Sequence, residues 1–130
     1  MNKKVILCVD DEKIILNSLK KQLKTRFGSE FLYEIAESAE EGLEILDELF
    51  EDNMEAPIIV SDWYMPGIKG DEFLQRVHEI RPDIVKILLT GQADTAIIES
   101  AKKDGYLNEV FYKPWSQDEL MSSIESHLGL

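Results

Sequence analysis

The sequence predicts one α/β domain in which five strands alternate with five helices. Short apolar runs alternate along the chain with longer segments whose apolar residues recur at helical spacing. Glycine, proline or polar residues separate these segments. At 130 residues and 44% hydrophobic content, the chain has the size and composition of a single globular domain. Such alternation predicts a parallel sheet with right-handed crossovers and helices on both faces.

The predicted strands are apolar runs too short to be helices. The first and third are the clearest, and we expect them to be buried on both faces of the sheet. The second has the weakest pattern, and Pro114 interrupts the chain after the fifth. The five strands are predicted over residues 4–9, 33–36, 57–62, 84–89 and 110–112.

The intervening segments carry the start and stop signals of helices. Gly28 ends the first, while Ser38 followed by Glu41 and Ser116 followed by Glu119 have the spacing of a capping box. These boxes predict where the second and fifth helices begin. The apolar positions that mark the helices lie within residues 15–27, 43–50, 73–80, 97–101 and 120–128.

Composition and charge exclude several classes of protein. No apolar run approaches the roughly 20 residues of a membrane span, so we expect a cytoplasmic protein. The net charge of −12 argues against nucleic acid or an anionic membrane as the direct partner. Cys8 is the only cysteine, which rules out an internal disulfide and a cysteine metal cluster.

The ends of the predicted strands carry a consistent set of polar residues. Asp10 and Asp11 follow the first strand, and Asp62, Thr90 and Lys113 stand at the ends of the third, fourth and fifth. Ligands of such sheets bind outside the carboxyl ends of the strands. If the first and third strands are neighbours, three carboxylates converge and need a compensating cation, for which Mg²⁺ is the first choice.

Lys113 and Thr90 indicate what that cation is for. A carboxylate, a divalent cation, a lysine and a hydroxyl donor around one cavity are the parts that phosphoryl transfer requires. Each residue alone has an ordinary explanation as a turn, a helix cap or the end of a strand. Their joint placement on one rim of the sheet favours the chemical interpretation.

Four segments together resemble a known family. Asp10-Asp11, residues 61–67, residues 89–91 and Lys113-Pro114-Trp115 occur in the order and spacing of the receiver domain of two-component response regulators. The resemblance covers essentially the whole chain, so residues 1–130 are expected to form one receiver domain. It implies a flavodoxin-like doubly wound sheet with strand order 2-1-3-4-5.

The resemblance also implies a role for each site residue. Asp62 would accept a phosphoryl group from a histidine kinase or phosphotransfer protein. Asp11 and Asp62 would bind Mg²⁺ by their side chains, and Tyr64 would bind it by its backbone carbonyl. Asp10 would act on the metal mainly through water.

Two further residues would act on the phosphoryl group. Lys113 would contact the acyl phosphate, and Thr90 would swing inward to hydrogen-bond it as the first movement of a switch. The family often has a cis peptide before the proline, so the Lys113–Pro114 bond is a candidate. The output domain or protein would be met through the fourth helix, the fifth strand and the fifth helix.

This sequence departs from the family pattern at Val110, where the family commonly has Tyr or Phe. No aromatic side chain can follow the threonine at that position, so we expect unusual coupling to the output, through backbone shifts of the loop over residues 91–95 and of the helix after it. Tyr64 and Gln92 are expected to border the path of the hydrolytic water, and the sequence leaves open whether they shorten or lengthen the life of the phosphoryl group.

Three other classes remain as alternatives. A phosphorylation-independent receiver would bind its partner constitutively. A metal-dependent aspartyl-phosphate phosphatase usually needs a second aspartate two residues after the nucleophile, where Tyr64 stands here. A flavin carrier of the same fold would need a phosphate-binding loop after the first strand, where Asp10 and Asp11 would repel the phosphate. We therefore expect a signalling module rather than an enzyme.

Overall fold

The computed structural model describes residues 3–92 and 94–130. Within these residues the chain forms five strands and five helices in strict alternation, with a 3₁₀ turn at Gly28–Glu30. The strands are β1 (Lys4–Val9), β2 (Phe31–Ala36), β3 (Ile58–Ser61), β4 (Val85–Thr90) and β5 (Glu109–Tyr112). The helices are α1 (Lys13–Phe27), α2 (Ala39–Glu51), α3 (Gly70–Ile80), α4 (Thr95–Lys103) and α5 (Gln117–His127).

The strands form one sheet in the order β2-β1-β3-β4-β5, and all neighbours are parallel. The predicted α/β class and the flavodoxin-like strand order are therefore confirmed. From β1 the chain passes to β2 on one side and then crosses over to β3 on the other side. The boundary between β1 and β3 is therefore the topological switch point, where such folds bind their ligands.

The element boundaries differ most from the prediction at β2. This strand begins at Phe31, two residues before the predicted start, and Phe31 pairs with Lys4 of β1. Because β2 lies at the edge of the sheet, Leu32 is 42% exposed and the apolar pattern is diluted. The central strands β1 and β3 are buried almost throughout, which makes their apolar runs continuous.

The sheet separates two hydrophobic cores. Alternate residues of each strand point to opposite faces, so Val5, Leu7 and Val9 enter one core while Ile6 and Cys8 enter the other. The first core is covered by α2, α3 and α4, and the second by α1 and α5. Burial raises the pKa of the Cys8 thiol to about 12, so this cysteine is a neutral core residue.

Side-chain caps fix where three helices begin. Both predicted capping residues are confirmed, since Ser38 Oγ accepts a hydrogen bond from Glu41 N–H at 3.1 Å and Ser116 Oγ accepts one from Glu119 N–H at 3.3 Å. Asp94 caps α4 in the same way, through Ala96 N–H at 2.9 Å. None of the helices in the described part of the chain is long and apolar enough to cross a membrane.

One lysine side chain is buried on the face of the sheet that carries the first core. Lys86 of β4 is only 1% exposed, and its ammonium donates hydrogen bonds to the carbonyl oxygens of Ile84 and Pro82. Burial lowers the pKa of Lys86, and the charge of Asp83 opposes this change. The side chain thus ties the turn before β4 to the strand itself.

Candidate functional site

The backbone of the sheet holds the predicted site residues at its carboxyl edge. Asp10 N–H donates to the Ala36 carbonyl at 3.1 Å, and Asp62 N–H donates to the Val9 carbonyl at 2.9 Å. Lys113 N–H donates to the carbonyl of Thr90 at 2.8 Å. Each residue therefore continues the strand ladder by one bond, so its position is as rigid as the sheet.

Three carboxylates converge at this edge. Oxygens of Asp10, Asp11 and Asp62 lie within 4.8 Å of one another. Asp10 is 1% exposed and Asp62 is 7% exposed, whereas Asp11 is open to solvent. Two of the three charges are therefore removed from water, where like charges at this separation repel strongly.

Lys113 supplies the positive charge that these carboxylates contact. Its Nζ lies 2.8 Å from Asp10 Oδ2 and 3.5 Å from Asp62 Oδ1. Burial lowers the pKa of Lys113, but the bonds and charges of Asp10 and Asp62 outweigh burial and leave that pKa raised. One ammonium is shared by two buried carboxylates, and a third carboxylate stands beside them.

Burial raises the pKa of Asp62 to about 6, and the charge of Asp10 adds to this rise. Lys113 and the N–H of Trp63 oppose the rise but do not cancel it. The folded chain thus holds an Asp62 carboxylate whose charge is under-compensated. A further cation at this position would relieve the deficit.

The donor set fits a hard divalent cation such as Mg²⁺. All three groups of the cluster are carboxylates, and the exposure of Asp11 leaves one side open to the waters that Mg²⁺ retains. Tyr64, the source of the predicted carbonyl ligand, follows Asp62 in the loop before α3. Its side chain is 52% exposed, and Lys69 Nζ lies 5.6 Å from the centre of its ring.

Thr90 ends β4, the strand next to β3, and is fully buried, but its hydroxyl is engaged within its own loop. Thr90 Oγ1 donates to the carbonyl of Gln92 at 2.8 Å and accepts from Gln92 N–H at 3.2 Å. This local pair holds the hydroxyl against its own loop. Thr90 must break its bond to the carbonyl of Gln92 before it can donate to a group on Asp62.

Two residues outside the loop between β3 and α3 help to position it, and sequence reasoning missed both. A Cβ at Gly70 would collide with the carbonyl oxygen of Asp62, so only glycine lets α3 start this close to the site. Glu40 of α2 accepts a hydrogen bond from Ile68 N–H at 3.2 Å. A glycine at the first position of a helix could have indicated the role of Gly70. No local sequence pattern indicates the role of Glu40.

The position that departs from the family pattern lies on β5. Val110 is half-buried and packs against the first core. Tyr112, two residues further along, is 55% exposed. The predicted cis peptide between Lys113 and Pro114 is present.

Comparison with known proteins places this fold and site in a family. Residues 6–125 match the family described as response regulator receiver domain. The chain therefore belongs to the receiver domains of two-component response regulators, which are signalling modules.

Individual relatives agree with this assignment. The chain is 30% identical over 126 residues to a chemotaxis protein CheY homolog of Campylobacter jejuni, covering 95% of this chain and 92% of that protein. A solved CheY-like receiver domain from Methanospirillum hungatei is 29% identical, with a TM-score of 0.84 over 98% of this chain and 95% of that one.

A longer relative shares only this part. The hydrogenase transcriptional regulatory protein HoxA of Cupriavidus necator is 30% identical over 119 residues, which are 92% of this chain but only 23% of that protein. The chain thus spans about a quarter of the length of this curated relative.

Proposed function

We propose that this receiver domain takes a phosphoryl group from a histidine kinase onto Asp62, with Mg²⁺, and thereby switches its interaction with an output domain or protein. The observation that carries the proposal is the under-compensated cluster of Asp10, Asp11 and Asp62 with Lys113 bonded to two of its members. Asp62 is the member best suited to attack, because it directly follows a central strand, its N–H is bonded to the Val9 carbonyl and its Oδ1 is oriented by the N–H of Trp63.

In the proposed transfer, one carboxylate oxygen of Asp62 attacks the phosphorus atom of the donor. A new oxygen–phosphorus bond forms as the nitrogen–phosphorus bond to the donor histidine breaks. Lys113 moves from the aspartates to an oxygen of the arriving group, where it neutralises negative charge.

Asp10, Asp11, Asp62 and the carbonyl of Tyr64 are the groups that would hold Mg²⁺. When bound, this ion offsets the charge of the carboxylates and of the phosphoryl oxygens. Asp10 stays bonded to the N–H of Glu12 at 2.9 Å, which keeps its carboxylate aimed into the cluster.

The switch begins at Thr90. A phosphoryl oxygen on Asp62 offers the Thr90 hydroxyl a charged acceptor in place of the neutral carbonyl of Gln92. Turning towards it releases both the N–H and the carbonyl of Gln92. Because Val110 cannot follow this movement as an aromatic ring would, the signal passes through the loop over residues 91–95, of which Ala93 lies outside the described residues, and through α4.

The central test is phosphorylation by a small donor. Incubation with acetyl phosphate and Mg²⁺ should add the mass of one phosphoryl group, measured on the intact protein, and Asp62→Ala should abolish the gain. A chain that gains no mass, or an Asp62→Ala variant that still gains it, contradicts the proposal. Asp83→Ala, at an aspartate far from the cluster, is the matched control and should behave as the unchanged protein.

The proposed route of the signal has its own test. Structures with and without beryllofluoride, a mimic of the phosphoryl group, should differ in the loop over residues 91–95 and in α4. An unmoved loop would rule out this route while leaving phosphorylation of Asp62 untouched.

A further inference from the structure

The loop that joins β3 to α3 is tied down near both of its ends. Asp62 Oδ1 accepts a hydrogen bond from Trp63 N–H at 2.8 Å, and Gly70 N–H donates to the Trp63 carbonyl at 2.8 Å. Met65 is only 4% exposed, which anchors the middle of the loop in the first core. Of the residues after it, Pro66, Gly67 and Lys69 are exposed and Ile68 is only half-buried against the first core, so this segment needs a further support.

That support comes from a helix that is distant along the chain. Glu40 Oε1, in the first turn of α2, accepts a hydrogen bond from Ile68 N–H at 3.2 Å. The same carboxylate lies against Gly67, because a Cβ built on Gly67 would stand 2.7 Å from Glu40 Oε2. Gly67 also has a φ of +83°, which favours glycine independently.

Glu40 does not belong to the carboxylate cluster formed by Asp10, Asp11 and Asp62. It lies on the exposed side of α2, where a glutamate is ordinarily free in solvent. Glu44, one turn further along the same helix, is also exposed, and its side chain makes no hydrogen bond or ion pair with the described residues. The contact with the loop is therefore specific to Glu40.

We propose that Glu40 is a positioning residue that sets the Mg²⁺ affinity of the site by holding the β3–α3 loop. Tyr64, whose carbonyl is the proposed ligand, lies between the anchored Trp63 and the segment over residues 67–68 that Glu40 contacts. A charged acceptor on a backbone N–H restrains that segment more strongly than water does. The inference rests on the proposed function, because it assumes that Mg²⁺ is held by the carboxylates and the carbonyl of Tyr64.

The restraint lowers the entropy that the loop must lose when the ion binds. A loop already in its bound conformation binds with higher affinity. Loss of the Glu40 carboxylate therefore leaves the aspartate ligands in place. It weakens only the binding of the ion by the carbonyl of Tyr64 together with those aspartates. This predicts a change in affinity for the ion without a change in the number of ions bound.

The test compares Glu40→Ala, Glu40→Gln and Glu44→Ala by calorimetric titration with Mg²⁺. Glu40→Ala should raise the dissociation constant about three- to tenfold. Glu40→Gln, which keeps an oxygen acceptor for Ile68 N–H, should restore most of the affinity, and Glu44→Ala should bind as the unchanged chain does.

Amide hydrogen exchange supplies a second readout without the ion. The Ile68 amide should exchange faster in Glu40→Ala than in the unchanged chain, and at nearly the unchanged rate in Glu40→Gln. An unchanged chain that binds Mg²⁺, with a Glu40→Ala variant that binds it equally well, overturns the role of Glu40 alone. An unchanged chain that binds no Mg²⁺ overturns the proposed function and this inference together.

Discussion

Lys113 is the residue on which the charge of the site depends. Of the cations in residues 3–92 and 94–130, it alone lies within 4 Å of the buried carboxylates. Lys113→Gln should slow phosphorylation by acetyl phosphate about 10²-fold, because one preorganised charge no longer stabilises the transferring group. The measurement is the rate of mass gain at saturating Mg²⁺.

Lys69→Gln is a fair control for this prediction. Lys69 carries the same charge and lies in the loop before α3, but its ammonium faces the ring of Tyr64 rather than the carboxylates. It should leave the rate within about twofold, the size expected for an exposed charge. Equal rates for Lys113→Gln and Lys69→Gln would mean that the contact with Asp10 and Asp62 has no part in transfer.

Lys86, a second lysine that lies away from the site, should contribute to the pH dependence of the free energy of unfolding. Because burial lowers its pKa in the folded chain, the unfolded chain binds the proton more tightly. The free energy of unfolding therefore rises with pH between the lowered pKa and the ordinary value of 10.5. Lys86→Met should lose this part of the rise.

The measurement is urea unfolding of both chains at neutral pH and at about pH 9.5, which is below the ordinary pKa of lysine. Other titrating groups contribute equally to both chains, so the difference between the two rises isolates Lys86. Identical rises would show that the ammonium is not strained by burial in the folded state.

At the scale of the elements, the sequence was informative wherever burial was complete. β1 and β3 are continuous apolar runs because both of their faces are covered. The ends of these strands, and hence the positions of Asp10 and Asp62, could therefore be predicted from the sequence. The start of β2 was misplaced because this edge strand leaves Leu32 and Glu34 exposed, which dilutes its apolar pattern. Element order and the convergence of strand ends follow from local patterns and the topology of parallel sheets.

The contacts that the sequence could not predict join elements far apart in the chain. Glu40 and Ile68 are separated by 28 residues, and no spacing rule connects them. The engagement of the Thr90 hydroxyl by Gln92 is local, but it depends on the backbone conformation of a loop rather than on a pattern. The orientation of side chains at a predicted site thus depends on the three-dimensional fold and does not follow from sequence patterns.

Helix α4 is the element that is best placed to move. It is nine residues long, and only Ile98 and Ala101 are buried within it. Asp94 caps it through the N–H groups of Ala96 and Ile97. Asp94→Ala should lower the free energy of unfolding by about 1 kcal/mol and should speed amide exchange throughout α4.

Ser116→Ala removes the cap of α5 and serves as the comparison. It should cost a similar free energy, because Ser116 makes the same kind of bond to Glu119 N–H. Faster exchange should then appear in α5 and not in α4. If Asp94→Ala speeds exchange in every helix alike, α4 is not an independently mobile element and the proposed route of the signal loses its physical basis.

Over the whole molecule, charge is strongly segregated along the chain. Residues 27–68 contain twelve acidic residues and no lysine or arginine, and this stretch includes Asp62. With a net charge of −12, the folded chain is destabilised by self-repulsion that any salt can screen. Mg²⁺ should therefore stabilise the folded chain in two ways, by general screening and by binding at the proposed site.

The two sources can be separated at constant ionic strength. Replacing NaCl by MgCl₂ should raise the free energy of unfolding by about 1.4 kcal/mol when Mg²⁺ is at ten times its dissociation constant. Asp62→Asn should lose this increment while keeping its response to NaCl, because it removes one ligand and only one of 26 acidic residues.

Asp47→Asn is the control, since it removes the same charge from an exposed position on α2. It should respond to both salts as the unchanged chain does. An equal gain from MgCl₂ in Asp62→Asn would mean that the ion acts on the acidic surface as a whole. The convergence of Asp10, Asp11 and Asp62 would then be a consequence of the fold rather than a binding site for Mg²⁺.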